Sequence, residues 1–181
     1  MVKKTVLVIS LFVLFLNSQS QVVGYSTTDI GGELQWYPAG LIAGLHIAYN
    51  APLHHSVQFR AGYNKANRKD WGKHDHEEGG GPGIGIGYRY YFSYKPHGLF
   101  IGAHTDIWHL KIDWRNGLVT GTSKTWTLQP VAAIGYMFLI NDQVFITPEI
   151  SNGYEINLQT EGEKVGEGFI TLVGISAGVK F

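Results

Sequence analysis

Residues 169–181 read Phe-Ile-Thr-Leu-Val-Gly-Ile-Ser-Ala-Gly-Val-Lys-Phe and alternate without a slip. Counting back from Phe181 by twos gives Val179, Ala177, Ile175, Val173, Thr171 and Phe169. Lys180, Gly178, Ser176 and Gly174 fall on the other side. Successive side chains of a strand point to opposite faces, so this stretch predicts a strand with one apolar face and one small or polar face.

The same alternation recurs along the chain. Segments 30–37, 41–49, 55–64, 82–92, 99–114, 127–139 and 144–157 each place apolar residues at every second position, which with the last stretch makes eight predicted strands. Each has roughly the 10 residues that span an apolar layer of about 25 Å at a strand tilt near 40°. The phase flips near Ile107, because Trp108, Leu110, Ile112 and Trp114 share the parity of His104; this predicts a β-bulge or a strand that leaves the membrane and twists. Connections two, four and six are short turns. Connections three, five and seven, at 65–81, 114–123 and 158–168, are long and polar. The first, around Pro38 to Gly40, is short.

The chain's 181 residues suffice for one domain, and its 24 glycines and many aromatics suit a β protein. With no cysteine, there is no disulfide, thiolate metal site, catalytic thiol or lipid-anchored N-terminal Cys. Charge is balanced at fourteen basic and fourteen acidic residues, and fourteen less Lys3 and Lys4 leaves twelve basic. That lacks the basic excess of a nucleic-acid binder.

Lys3 and Lys4 precede an apolar run from Val6 to Leu16, with small residues at Ser18 and Ser20. Residues 1–20 therefore read as a secretory signal peptide, since the apolar run is shorter than the ~20 residues of a helical span. Residues 21–181 read as one exported β domain.

Alternation alone does not say which face meets the core. The apolar face of the well-phased strands carries no ionisable group, and its one off-phase polar residue is Asn152. The other face carries Glu33, His46, Arg60, Arg89, His104, Asp106, Glu149, Glu155 and Lys180. Tyr49, Tyr90, Phe92, Tyr136, Phe138 and Phe181 cluster at the strand ends beside the short turns, and Trp36, Tyr63 and Tyr154 at the opposite ends. Two aromatic girdles mark two bilayer interfaces, which places the apolar face outward in lipid and the charges inside a closed cylinder.

On the signal peptide, the eight alternating segments and the terminal strand ending in Phe181, the mature chain resembles the small OmpA/OmpX-like outer-membrane barrels of Gram-negative bacteria. The resemblance implies an all-β fold, a closed antiparallel eight-stranded transmembrane β-barrel in the outer membrane. It also implies that the last strand resembles the signal read by the outer-membrane assembly machinery. Pro130 and Pro148 depart from the pattern, since proline cannot donate to a ladder and a closed barrel has no free edge. Pro130 is expected at a strand start and Pro148 at a bulge.

Eight strands enclose a lumen that side chains fill. The inward charges are expected to pair in an internal network, the alternative being a narrow polar path or ligand cleft. Three other patterns bear on chemistry. His74-Asp75-His76-Glu77-Glu78 has metal-ligand composition, but a solvated loop explains it without a metal. Gly79-Gly80-Gly81-Pro82-Gly83 lacks the Gly-Lys-Ser/Thr ending of a phosphate loop and leads into a strand; its alternate glycines suit strand bending or close packing. His104 and Asp106 point inward with Ser151 or Ser176 on other strands, a set that could compose a hydrolase triad, but no serine sits in a nucleophile elbow. No residue is assigned a catalytic, cofactor-binding or metal role. The expected function is a structural or surface-interaction role without enzymatic activity, with outer-membrane lipid as partner and loops 65–81, 114–123 and 158–168 as working surface. The alternatives are an outer-membrane enzyme acting on lipid or lipopolysaccharide and a soluble secreted barrel binding a small apolar ligand.

Overall fold

The alternating segments all form strands. The computed structural model describes residues 26–69 and 72–181; the signal-peptide reading of residues 1–20 lies outside them. The strands are β1 (Thr27–Tyr37), β2 (Gly40–Asn50), β3 (His55–Lys69), β4 (His76–Tyr91), β5 (Gly98–Asn116), β6 (Val119–Ile140), β7 (Val144–Glu161) and β8 (Gly168–Lys180). Each pairs antiparallel with its sequence neighbour, and β1 pairs with β8 from Asp29↔Lys180 to Trp36↔Val173, which closes the barrel. Thr28 and Phe181 seal the seam by exchanging backbone hydrogen bonds of 3.0 and 2.9 Å.

The turns at the short-turn end follow local chemistry. Asn141 and Asp142 both have positive φ, at 50° and 56°, in a three-residue hairpin loop whose turn is closed by the Gln143 N–H donating to the Ile140 carbonyl at 3.2 Å. At the other end the hairpins are longer than the sequence suggests. The polar connection expected at 65–81 is mostly ladder, since Lys65↔Gly80 through Lys69↔His76 are paired. The connection expected at 114–123 shrinks to a turn between Asn116 and Val119, and that at 158–168 to residues 162–167. These hairpins rise above the apolar layer, where a strand needs no greasy outer face and apolar alternation no longer marks it.

No bulge interrupts β5 at Ile107. Its register with β6 runs unbroken from Gly98↔Met137 to Asn116↔Val119. Inward positions simply change from polar His104 and Asp106 to apolar Trp108, Leu110, Ile112 and Trp114, while His109, Lys111 and Asp113 face outward. The strand leaves the membrane, and inside and outside exchange polarity. The register shift lies instead where Trp126↔Gln159 gives way to Thr127↔Asn157, making Leu158 the extra residue. Pro130 is not at a strand start, and Pro148 needs no bulge. Both lie within strands, paired to Thr105 and Ile175, and the β6–β7 ladder is interrupted beside each while keeping its register.

The outer belt is apolar as expected. Ile84, Ile86, Ile134 and Ile175 are 69, 53, 52 and 43% exposed, whereas Arg60 and Glu149 are buried. Girdle aromatics pack in pairs, Tyr136 with Phe138 at one end and Tyr154 with Phe169 at the other. The off-phase Asn152 accepts a 2.8 Å hydrogen bond from Thr171 on β8, so two polar groups on the outer face satisfy each other.

The alternate glycines of β4 have a packing reason. Gly83, Gly85 and Gly87 stand opposite Trp108, Asp106 and His104. A Cβ at Gly83 would overlap the Trp108 ring, and one at Gly85 the Asp106 carboxylate. Gly83→Leu is accordingly expected to destabilise the barrel by about 1–3 kcal/mol through overpacking, seen as a lower urea midpoint in detergent micelles.

Candidate functional site: the filled lumen and the outer hairpins

Every inward ionisable residue expected from the alternation faces the interior, and they divide into layers. Nearest the short turns, Lys180 Nζ lies 3.0 Å from Asp29 Oδ1 and donates to the Pro96 carbonyl at 3.1 Å. A largely aromatic floor of Tyr91, Phe100 and Phe145, completed by Met137, fills the same end.

The middle layer holds the densest charge. Arg60 donates from Nε and Nη2 to Glu33 Oε1 at 3.0 and 2.7 Å, and its Nη1 lies 3.5 Å from Asp106. His104 Nε2 lies 3.4 Å from the same Asp106 oxygen, and His46 lies 3.7 Å from Glu33. Arg89 donates to Glu149 at 2.8 Å and stacks 4.5 Å over the Phe100 ring. The cavity among Glu33, Gln35, Arg89, Thr147, Glu149 and Ser176 holds about 10 Å³, room for one water at most.

Above it the lumen is filled mainly by apolar side chains. Tyr37, Ile42, Trp108, Leu110, Ile112, Trp114, Val131, Val165, Ile170 and Leu172 form one buried cluster. Trp108 donates to Gln129 at 2.8 Å and Trp114 to Ser123 at 3.1 Å, so neither indole nitrogen is stranded. A second charge cluster sits in this upper section. Arg68 donates to Glu77 at 3.2 Å and to Glu155 at 2.8 Å. Glu77 also accepts from the backbone N–H groups of Lys73 and Gly166. The last of these bonds, with the fully buried Val165, folds segment 162–167 inward over the lumen. Sequence reasoning missed Asp29 and Arg68 and took Glu77 for part of a solvated loop. Asp29 lies one residue before the assigned β1, and Arg68 and Glu77 in what read as loop; extending each strand's parity would have turned all three inward.

The structure scatters the residues considered for chemistry. His74 stacks on Trp114 at 4.3 Å, and Asp75 accepts from the Gly117 N–H. Glu77 is inside, while His76 and Glu78 face each other outside at 3.5 Å. The run is neither a solvated loop nor a cluster that could hold a metal, and among the described residues no such cluster exists. His104 and Asp106 are neighbours, but the Ser151 hydroxyl donates to Glu149, and Ser176 lines the small central cavity. Asp106 is engaged by Arg60, and apolar layers cover the set on both sides.

No family model matches this chain, and neither does any curated protein. Solved structures do. The N-terminal β-barrel domain of Pseudomonas aeruginosa OprF aligns with a TM-score of 0.54 at 18% identity, covering 87% of this chain and 99% of that one. A major outer membrane protein from Thermus thermophilus aligns at 0.56 with 9% identity, over 87% and 100%. Ail, the attachment invasion locus protein of Yersinia pestis, aligns at 0.51 with 10% identity, over 88% and 100%. At such identities the likeness speaks for the fold. With the apolar outer belt and its two girdles, it shows a closed, membrane-spanning eight-stranded β-barrel with the fold of small outer-membrane barrels.

Proposed function

We propose that this protein is a structural or surface-interaction barrel of the outer membrane that neither conducts nor catalyses. The observation that carries the reading is the filling of the lumen. A layer of paired charges lies between an aromatic floor and a Trp-rich upper cluster, with segment 162–167 folded over the top. Such an interior gives the barrel rigidity and leaves interaction to the hairpins that rise above the lipid. Their outward faces are polar, and the β5–β6 tip ends in the fully exposed Leu118. In this reading residues 1–20 direct export, and the β8 strand ending in Phe181 addresses the chain to the assembly machinery.

Three measurements test it. The folded barrel is expected to keep a faster gel mobility in cold SDS than after boiling. In planar bilayers the same preparation is expected to show no discrete conductance steps. Stepwise conductance would refute the sealed lumen, and turnover of a lipid substrate by the purified protein would refute the non-enzymatic role.

A further inference from the structure

On the outer face, the residue pairing of four neighbouring strands sets three lysines along one line. Lys65 of β3 pairs with Gly80 of β4, Gly80 with Lys111 of β5, and Lys111 with Lys124 of β6. All three lysines are exposed. Lys111 and Lys124 stand directly opposite each other, an arrangement of like charges that destabilises a sheet, and on its other side Lys124 pairs with the exposed Glu161 of β7. Among the described residues, none of the three comes within ion-pairing distance of a carboxylate.

The line borders the apolar belt. Two residues toward the lipid lie Tyr63 on β3, Pro82 on β4, and the stacked pair His109–Trp126 on β5 and β6, whose rings are 4.7 Å apart. At Gly80 there is no side chain, and the Tyr63 ring leans into the space a Cβ would take. Two residues in the other direction, Glu78 faces Asp113 across β4 and β5. An anion arriving from solution would meet those carboxylates, whereas one rising from the lipid would meet the lysines first.

We infer that Lys65, Lys111 and Lys124 form a docking site for the phosphate headgroup of an outer-leaflet lipid, whose chains lie against Tyr63, Pro82 and Trp126. A phosphate between Lys111 and Lys124 turns a repulsive pair into two charge-assisted hydrogen bonds. The aromatic rings below supply the amphipathic surface that settles at a headgroup boundary. The inference rests on the barrel being seated in a bilayer, as proposed above, and adds the headgroup chemistry and the face that reads it.

The full chain is purified in dodecyl maltoside micelles doped with phosphatidic acid, and lipid retained per barrel is counted by native mass spectrometry. Phosphatidylcholine and free inorganic phosphate serve as comparison probes. The expected result is retention of phosphatidic acid alone, falling with added salt. K111Q/K124Q is expected to retain about tenfold less, a loss near 1.4 kcal/mol. K95Q/K164Q, which removes two exposed charges off the line, is expected to retain as much as the parent. Unchanged retention by K111Q/K124Q, equal loss in K95Q/K164Q, retention of phosphatidylcholine, or insensitivity to salt would each overturn the site. Free phosphate bound as well as the phospholipid would overturn the lipid source. A second variant reads the repulsion itself: without anionic lipid, K111Q, whose other ladder neighbour is Gly80, is expected to unfold at higher urea than the parent, and a lower midpoint counts against the inference. Failure of the membrane reading would appear separately, as loss of the heat-modifiable band in the parent chain.

Discussion

Arg60→Met is expected to destabilise the folded barrel by about 3–5 kcal/mol, the usual consequence of removing one partner from a buried ion pair. Arg60 contacts two carboxylates, Glu33 and Asp106, whose side chains are 8 and 2% exposed. Methionine fills much of the same volume, so the effect reports charge rather than packing. Asp106 would keep only His104, and Glu33 only His46 at 3.7 Å. The measurement is the urea unfolding midpoint in detergent micelles, and an unchanged midpoint would mean that the network does not hold the barrel. Arg60→Met/Glu33→Gln should recover part of the loss, because it removes one stranded carboxylate together with its cation. Arg89→Met should behave like Arg60→Met, since Glu149 would be left with Ser151 as its hydrogen-bond donor.

Trp108→Ala is expected to destabilise by a similar amount, about 3–5 kcal/mol, for a different reason. Trp108 is 3% exposed at the base of the upper cluster, and its indole donates to the fully buried Gln129. Truncation leaves a cavity and an unpaired amide oxygen together. Its coupling to Gly83 makes the explanation specific. Gly83→Leu clashes with the Trp108 ring, so its cost should shrink in the Trp108→Ala background, where the added side chain partly fills the hole. A double-mutant cycle with strictly additive midpoints would show that the glycine is not there to admit the ring.

Much of the outer belt was legible because its signal is local. Each of Ile84, Ile86, Ile134 and Ile175 shares parity with its strand neighbours, and one alternation fixes a whole face. The turn at Asn141–Asp142 was legible for the same reason, since two residues tolerant of positive φ suffice to make it. The charges of the middle layer were legible as inward-facing but not as pairs. That Arg60 meets Glu33 depends on β1, β2 and β3 lying side by side, through Glu33↔Gly44 and Gly44↔Gly62. Arg68 and Glu155 are 87 residues apart in sequence, and no spacing rule joins them.

In the upper half of the barrel one of the two expectations at Ile107 failed, the bulge, while the strand that leaves the membrane fits the unbroken register. Trp108, Leu110, Ile112 and Trp114 looked like residues that had changed faces. They keep their face; it is the surroundings that change, because above the lipid the apolar side of a strand belongs inside. Likewise Lys65 read as a loop charge and stands, with Lys111 and Lys124, on a continuous strand.

Periodicity along the chain therefore determined the eight strands, their two faces and the location of the apolar belt, since these follow from which neighbours share a parity. The tertiary structure alone decided which medium each face meets at each height, which charges pair across the lumen, and which lysines line up outside. Those depend on register between strands and on where the barrel crosses the lipid surface, and neither is written into the order of residues within any one strand.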